Sequence, residues 1–176
     1  MRIEADSVLH HPREAVFDAY RDDMEIFAEY LPNIRRFEVI ERTTEGSIVR
    51  LHNRWHGATE LPAGLAAKLE ERFLSWDDYA TWDRDAWTCE WVIEPHVLRE
   101  TVRCRGRTDF VDLGGRTRIE LTGELAFELE RVKGVPSFLA GSLARTVESF
   151  LVRTITANLA SMSDALAAHL QDDTIA

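Results

Sequence analysis

From Arg2 to His10 apolar and polar residues alternate loosely without helical spacing, which predicts a first strand. His11-Pro12 then opens a helix, because proline fits a first helical turn and Ala15, Val16, Ala19 and Tyr20 follow at helical spacing. A second, short helix is predicted from Met24 to Tyr30, ending before Pro32. Ile34 to Leu129 reads as strands, with one exception. Leu61, Leu65, Leu69 and Phe73 recur four apart, while Lys68, Glu70, Glu71 and Arg72 occupy another face, so residues 61–74 read as an amphipathic helical insertion. Pro136-Ser137 starts a last helical pattern that runs to Leu170 through Leu143, Val147, Phe150, Ile155, Met162 and Leu166. At 1.5 Å per residue it would be roughly 50 Å long. Residues 171–176 read as a frayed tail. No repeat or low-complexity linker divides the chain, so residues 1–176 are expected to form a single domain.

Turn signals set the strand register. Thr44-Glu45-Gly46 suits a three-residue hairpin loop that would pair Val39 with Leu51 and Phe37 with Asn53. A two-residue loop at Arg84-Asp85 would set Trp82 opposite Trp87, and Trp76 opposite Ile93. Another at Pro95-His96 would set Ile93 opposite Leu98, Cys89 opposite Val102 and Trp91 opposite Glu100. Gly114-Gly115, the strongest signal, sets Phe110 opposite Ile119 and Cys104 opposite Leu125. Together these turns predict one apolar face carrying Trp76, Trp82, Trp87, Cys89, Trp91, Ile93, Cys104, Phe110, Ile119 and Leu125. The other face carries Glu90, Arg99, Arg103, Arg105, Arg107, Arg118 and Glu120. A one-residue slip would invert a strand and destroy this match. The pattern is that of an antiparallel meander with one wet and one buried face.

Strand, two short helices, a run of antiparallel strands and one long final helix is an uncommon order. It resembles the helix-grip fold of the START-related (SRPBCC) superfamily, with its pollen-allergen, polyketide cyclase/dehydratase and coenzyme Q-binding families. Phe27-Ala28-Glu29-Tyr30-Leu31-Pro32-Asn33-Ile34 followed by Phe37-Glu38-Val39-Ile40-Glu41 is similar to the passage from helix to strand in the cyclase and coenzyme Q-binding-like members. Pro136 to Leu170 corresponds to their gripping helix. The resemblance implies an α+β fold: a curved antiparallel sheet of about seven strands around the C-terminal helix, with an apolar cavity between them. The 61–74 insertion departs from it, since many members have a plain turn there. Its apolar stripe either completes the core or forms a lid over the cavity mouth, with Pro62 and Gly64 as a hinge.

Composition narrows the partners. Of 176 residues, 45% are hydrophobic, enough for a real core. A net charge of −10 speaks against nucleic acid and anionic membranes as partners. Two cysteines, Cys89 and Cys104, make no disulfide framework and suit a reducing, cytoplasmic setting. Glu4, Asp6 and His10 break the first apolar stretch, so no signal peptide is expected, and no apolar run is long enough for a transmembrane segment.

Three polar residues interrupt the apolar face: Asn53, between Leu51 and Trp55, Asp78, and Glu100. The predicted register sets Asp78, Trp91 and Glu100 in one row. A carboxylate in an apolar pocket has a raised pKa and can act as a general acid or hold a polar ligand head. The blander alternative is that the row lies near a sheet end and reaches water. The tryptophans either fill the core or line a pocket. The candidate ligand-binding set is Asn53, Trp55, Asp78, Trp82, Trp87, Trp91, Glu100, Phe127 and Phe150. His52 and His56 are expected on the outer face with Arg50 and Arg54. No metal, cofactor or catalytic residue is assigned, and no Ser-His-Asp order, P-loop or dinucleotide turn is found. Three functions are compatible: a carrier or sensor of a hydrophobic small molecule or lipid, a polyketide cyclase/dehydratase-like enzyme using the same pocket, and a ligand-free interaction module.

Overall fold

The computed structural model describes residues 1–28, 30, 31, 34–57, 75–96, 99, 100, 102–127 and 161–170. The 61–74 insertion, residues 137–160 of the last helical pattern (with Phe150), and the 171–176 tail lie outside these.

Seven strands form one antiparallel sheet in the order β1-β7-β6-β5-β4-β3-β2. They are β1 (Arg2–Leu9), β2 (Ile34–Glu45), β3 (Ile48–Gly57), β4 (Ser75–Asp83), β5 (Thr88–Pro95), β6 (Val102–Asp112) and β7 (Thr117–Phe127). Between β1 and β2 come α1 (Arg13–Asp22) and α2 (Met24–Ala28). Pro12 caps α1, its carbonyl accepting from the Val16 N–H at 3.1 Å. The chain after Ala28 turns, so α2 is shorter than its sequence pattern, and Tyr30 is exposed. Among the described residues no helix is long and apolar enough to cross a membrane.

Alternation along β3 and β6 holds as the pattern predicts. On β3, Val49, Leu51, Asn53 and Trp55 are buried, while Arg50 points to solvent. On β6, Cys104, Thr108 and Phe110 are buried, while Arg103, Arg105 and Arg107 are exposed. The Gly114-Gly115 hairpin has both glycines at positive φ (73° and 80°) and pairs Phe110 with Ile119 and Cys104 with Leu125, as its turn signal requires.

Other turns differ from their sequence signals. The β2–β3 loop is the two residues Gly46-Ser47, and a bulge between Val39 and Glu41 absorbs the offset, so Val39 faces Asn53 and Phe37 faces Trp55. The β4–β5 turn takes four residues, not two. Asp83 Oδ1 accepts from the Asp85 and Ala86 N–H groups at 2.9 and 3.1 Å, and Trp87 adopts a left-handed φ of 57°. Trp82 therefore faces Cys89 and Trp76 faces Pro95. The β5–β6 connection takes six residues, not two, and the register shifts by six, setting Ile93 opposite Cys104, Trp91 opposite Gly106 and Cys89 opposite Thr108.

The core lies on the concave face. Phe17 of α1 is fully buried and meets Trp82, Trp87 and Phe110 edge-on, with centroids 5.1–5.3 Å apart. Such aromatic contacts add about 0.5–1.5 kcal/mol each beyond burial. Residues 161–170 are helical and bury Met162, Leu166 and Leu170 in the same core. Ser163 bonds Ser7 of β1 at 2.7 Å, and His169 Nε2 meets Asp23 Oδ2, between α1 and α2, at 3.0 Å. These contacts fix the end of the last helical pattern against both the sheet edge and the helix pair.

Candidate functional site

The concave face does not fill completely. A cavity of about 190 Å³ lies between β2–β7, the helix pair and the 161–170 segment. Its apolar lining comes from every side: Tyr20 and Met24 of the helix pair, Leu31, Phe37 of β2, Leu51 and Trp55 of β3, Trp76 and Trp82 of β4, Trp91 and Ile93 of β5, Leu121 of β7, and Met162. Trp55 and Trp76 stack in parallel at 6.1 Å, and Phe37 meets Trp55 edge-on at 4.5 Å.

Trp91 is seated in an unusual way. Its indole lies over Gly106 of β6 and Gly123 of β7, which face each other across the strand pair. A methyl group on Gly106 would come within 2.3 Å of the indole and of the Thr122 carbonyl oxygen, and one on Gly123 within 2.7 Å of the same ring. Two glycines in a strand interior weaken it, so their presence here reflects this close approach. The ring reaches Thr108, whose Oγ1 accepts from the indole N–H at 3.2 Å. Lying flat, the largest side chain of β5 forms the floor of the space instead of filling it.

Polar groups are few. Asn53 and Asp78 are register partners on β3 and β4, and Asn53 Nδ2 donates to Asp78 Oδ2 at 3.2 Å. Asn53 Oδ1, Asp78 Oδ1 and the Trp82 indole nitrogen are buried without a hydrogen-bond partner. Burial pushes the Asp78 carboxyl up to about 6; the Asn53 amide, then the Trp55 indole and the His52 ring, hold it from going higher. Burial likewise raises the Tyr20 hydroxyl and the Cys89 thiol, and takes the Cys104 thiol to about 11, so these groups are neutral near pH 7. Arg21 also lines the cavity, but its guanidinium pairs with Asp18 and Asp22 at 3.0 and 2.6 Å.

The structure thus brings Asn53, Trp55, Asp78, Trp82 and Trp91 together around one space. Trp87 lies outside that lining, packed on Phe17 and covered by the guanidinium groups of Arg13 (4.2 Å) and Arg84 (5.3 Å). Arg84 is in turn held by Glu14 and Asp18 of α1. Glu100 sits exposed in the turn before β6, so the row Asp78–Trp91–Glu100 does not form; Asp78 faces Ile93 and Trp91 faces Ala80. Phe127 ends β7 opposite Val102. Sequence reasoning missed Gly106, Gly123 and Tyr20. A glycine at an inward position on each of two adjacent strands was the signal that could have found the floor.

The outer face of β4 holds a second cluster. His96 Nε2 meets Asp77 Oδ1 at 3.0 Å and its Nδ1 meets Ser75 Oγ at 2.7 Å, while Arg54 Nε donates to Asp77 at 2.9 Å. The fold thereby assembles a Ser-His-Asp chain that no linear motif announced. Ser75 is only 4% exposed, which leaves a reacting carbonyl no approach, and the relay pins the start of β4 to the end of β5. His52 stacks on Tyr79 at 4.6 Å, and His56 Nε2 lies 3.4 Å from Glu38, both on this outer face as expected.

Neither a family model nor a curated protein matches the chain by sequence. Solved structures do match in three dimensions. The protein TTHA0849 of Thermus thermophilus has a TM-score of 0.67 at 18% identity, over 96% of this chain and 99% of that one. Zhui aromatase/cyclase of Streptomyces sp. R1128 has 0.67 at 14%, over 97% and 95%. Norcoclaurine synthase of Thalictrum flavum, in complex with dopamine and hydroxybenzaldehyde, has 0.63 at 14%, over 98% and 87%. The chain has the helix-grip fold. At these identities the likeness speaks to architecture. Within this helix-grip framework, the tryptophan side of the sheet, the glycine floor and the Asn53–Asp78 pair make up the candidate site.

Proposed function

We propose that the protein binds a hydrophobic small molecule or lipid portion in the concave cavity and acts as its carrier or sensor. The observation that carries this reading is the aromatic-lined space itself, kept open by an indole laid flat on two glycines. A cavity of about 150 Å³ already accommodates a benzene ring, so the volume here suits a ring-sized group. Apolar burial at about 25 cal/mol per Å² would supply the affinity, and Asn53 and Asp78 would orient the polar end. Two of the structural neighbours, an aromatase/cyclase and a norcoclaurine synthase holding dopamine and hydroxybenzaldehyde, are consistent with such a guest. The test is titration with 2-naphthol and with indole, read by tryptophan emission and thermal shift. Saturable changes in both are expected; flat responses across a panel of apolar compounds would overturn the reading.

Asp78 favours a second reading. A carboxyl held near 6 can both give and take a proton close to neutral pH, as a cyclase or dehydratase requires. Asp78→Asn separates the two: a carrier keeps most of its affinity for a neutral ligand, whereas an enzyme keeps binding and loses turnover.

A further inference from the structure

At the polar end of the cavity two buried acceptor atoms stand without a hydrogen-bond donor. The bond from Asn53 Nδ2 to Asp78 Oδ2 fixes the amide, since turning it over would set two oxygens against each other. Asn53 Oδ1 and Asp78 Oδ1 then remain buried and unpaired, and Asn53 is only 5% exposed. The titratable groups facing Asp78 supply no positive charge. Tyr20 from α1, Cys89 from β5 and Cys104 from β6 are neutral, Arg21 is engaged by Asp18 and Asp22, and His52 lies on the opposite face of the sheet. Beside the carboxylate stand the rings of Trp55, Trp76 and Phe37, whose faces attract cations.

We propose that the ligand of this cavity is an apolar amine: an aromatic or alicyclic body fills the ring-lined space, and its protonated nitrogen donates to Asp78 Oδ1 and Asn53 Oδ1. This deepens the binding reading above and rests on it. An ammonium group satisfies both orphaned acceptors at once and gives the buried carboxylate its counter-charge. A neutral guest leaves that charge unpaired. A carboxylate guest would meet a like charge. The net charge of −10 also favours the approach of a cation.

Three probes of one shape test this: 2-phenylethylamine, 2-phenylethanol and 3-phenylpropionate, each titrated by calorimetry at pH 7.5. The amine is expected to bind at least about tenfold more tightly than the alcohol, as charge-assisted hydrogen bonds are the stronger kind, and the carboxylate is expected not to compete. In Asp78→Asn the amine should lose this advantage while alcohol affinity stays within about threefold. Should that variant fold poorly, the wild-type protein alone decides. Lowering the pH to 5 protonates about nine-tenths of a carboxyl that titrates near 6, so amine affinity should fall about tenfold while alcohol affinity holds. Equal binding of amine and alcohol, or an amine preference indifferent to both Asp78→Asn and pH, overturns the amine assignment and leaves the cavity reading intact. Failure of all three probes to bind overturns the cavity reading itself.

Discussion

Asp77 and Asp78 are neighbours in the chain with identical side chains and opposite circumstances. The two-residue repeat of β4 turns one outward and one inward. Outside, burial works against the charge of Asp77, but hydrogen bonds from Arg54 and His96, with their positive charge, outweigh it and hold the carboxyl at about 2. Inside, burial dominates and Asp78 rises to about 6. Their effects on stability run in opposite directions with pH. Asp77 titrates below its unfolded value of about 3.8, so its contribution is present above pH 4 and disappears as pH falls toward 2. Asp78 titrates above that value, so the folded state is favoured below pH 4 and loses that advantage as pH rises through 6. Asp77→Asn should therefore destabilise the protein at pH 7 and lose its effect near pH 2, seen by urea unfolding across pH. In the same measurement Asp78→Asn should gain up to about 3 kcal/mol on the wild type between pH 4 and pH 8, since each pKa unit corresponds to about 1.4 kcal/mol. A pH-independent difference would contradict the burial of Asp78.

At the scale of elements, the β5–β6–β7 floor depends on two absent side chains. Gly106→Ala drives a methyl group against both the Trp91 ring and the Thr122 carbonyl, and only the ring can move. The expected outcome is a loss of about 1–3 kcal/mol, typical of overpacking, with a shift in tryptophan emission as the indole lifts. Unchanged stability would mean that the indole does not rest there. These elements also show what was readable beforehand. Beyond the β2 bulge, each misplaced hairpin erred by an even number of residues, so inward residues such as Phe37, Trp76, Trp82 and Ile93 stayed inward while their partners across the strand changed. Binary pattern encodes the face. The register depends on turn details, such as the Asp83 side chain bonding and the left-handed Trp87, that the pattern does not contain. For this reason Asn53 and Asp78 each stood out on the right face, yet their pairing did not. They are joined through a long connection with no hairpin signal to set β3 against β4. Trp87 illustrates the converse: it keeps its side of the sheet, but α1 and two arginines cover it before it can reach the cavity.

For the whole molecule, four of the five tryptophans border one space and the fifth is walled off by α1. A bound ring should therefore perturb most of the protein's emission, and Trp87→Phe should leave the ligand-induced fraction of the change intact. Trp55→Phe, by contrast, should reduce it, checked by fluorescence titration with 2-naphthol. Among the described residues, the sheet that carries this space has β1 at one border and β2 at the other. Along β2, Arg36, Glu38, Glu41, Arg42 and Glu45 mix both signs, several already tied to neighbours, and the irregularity between Val39 and Glu41 interrupts the pairing. A border so studded with charge and interrupted mid-length is a poor template for another strand. Lateral growth into fibrils is thus discouraged along β2, even while a large apolar interior stands ready for a guest.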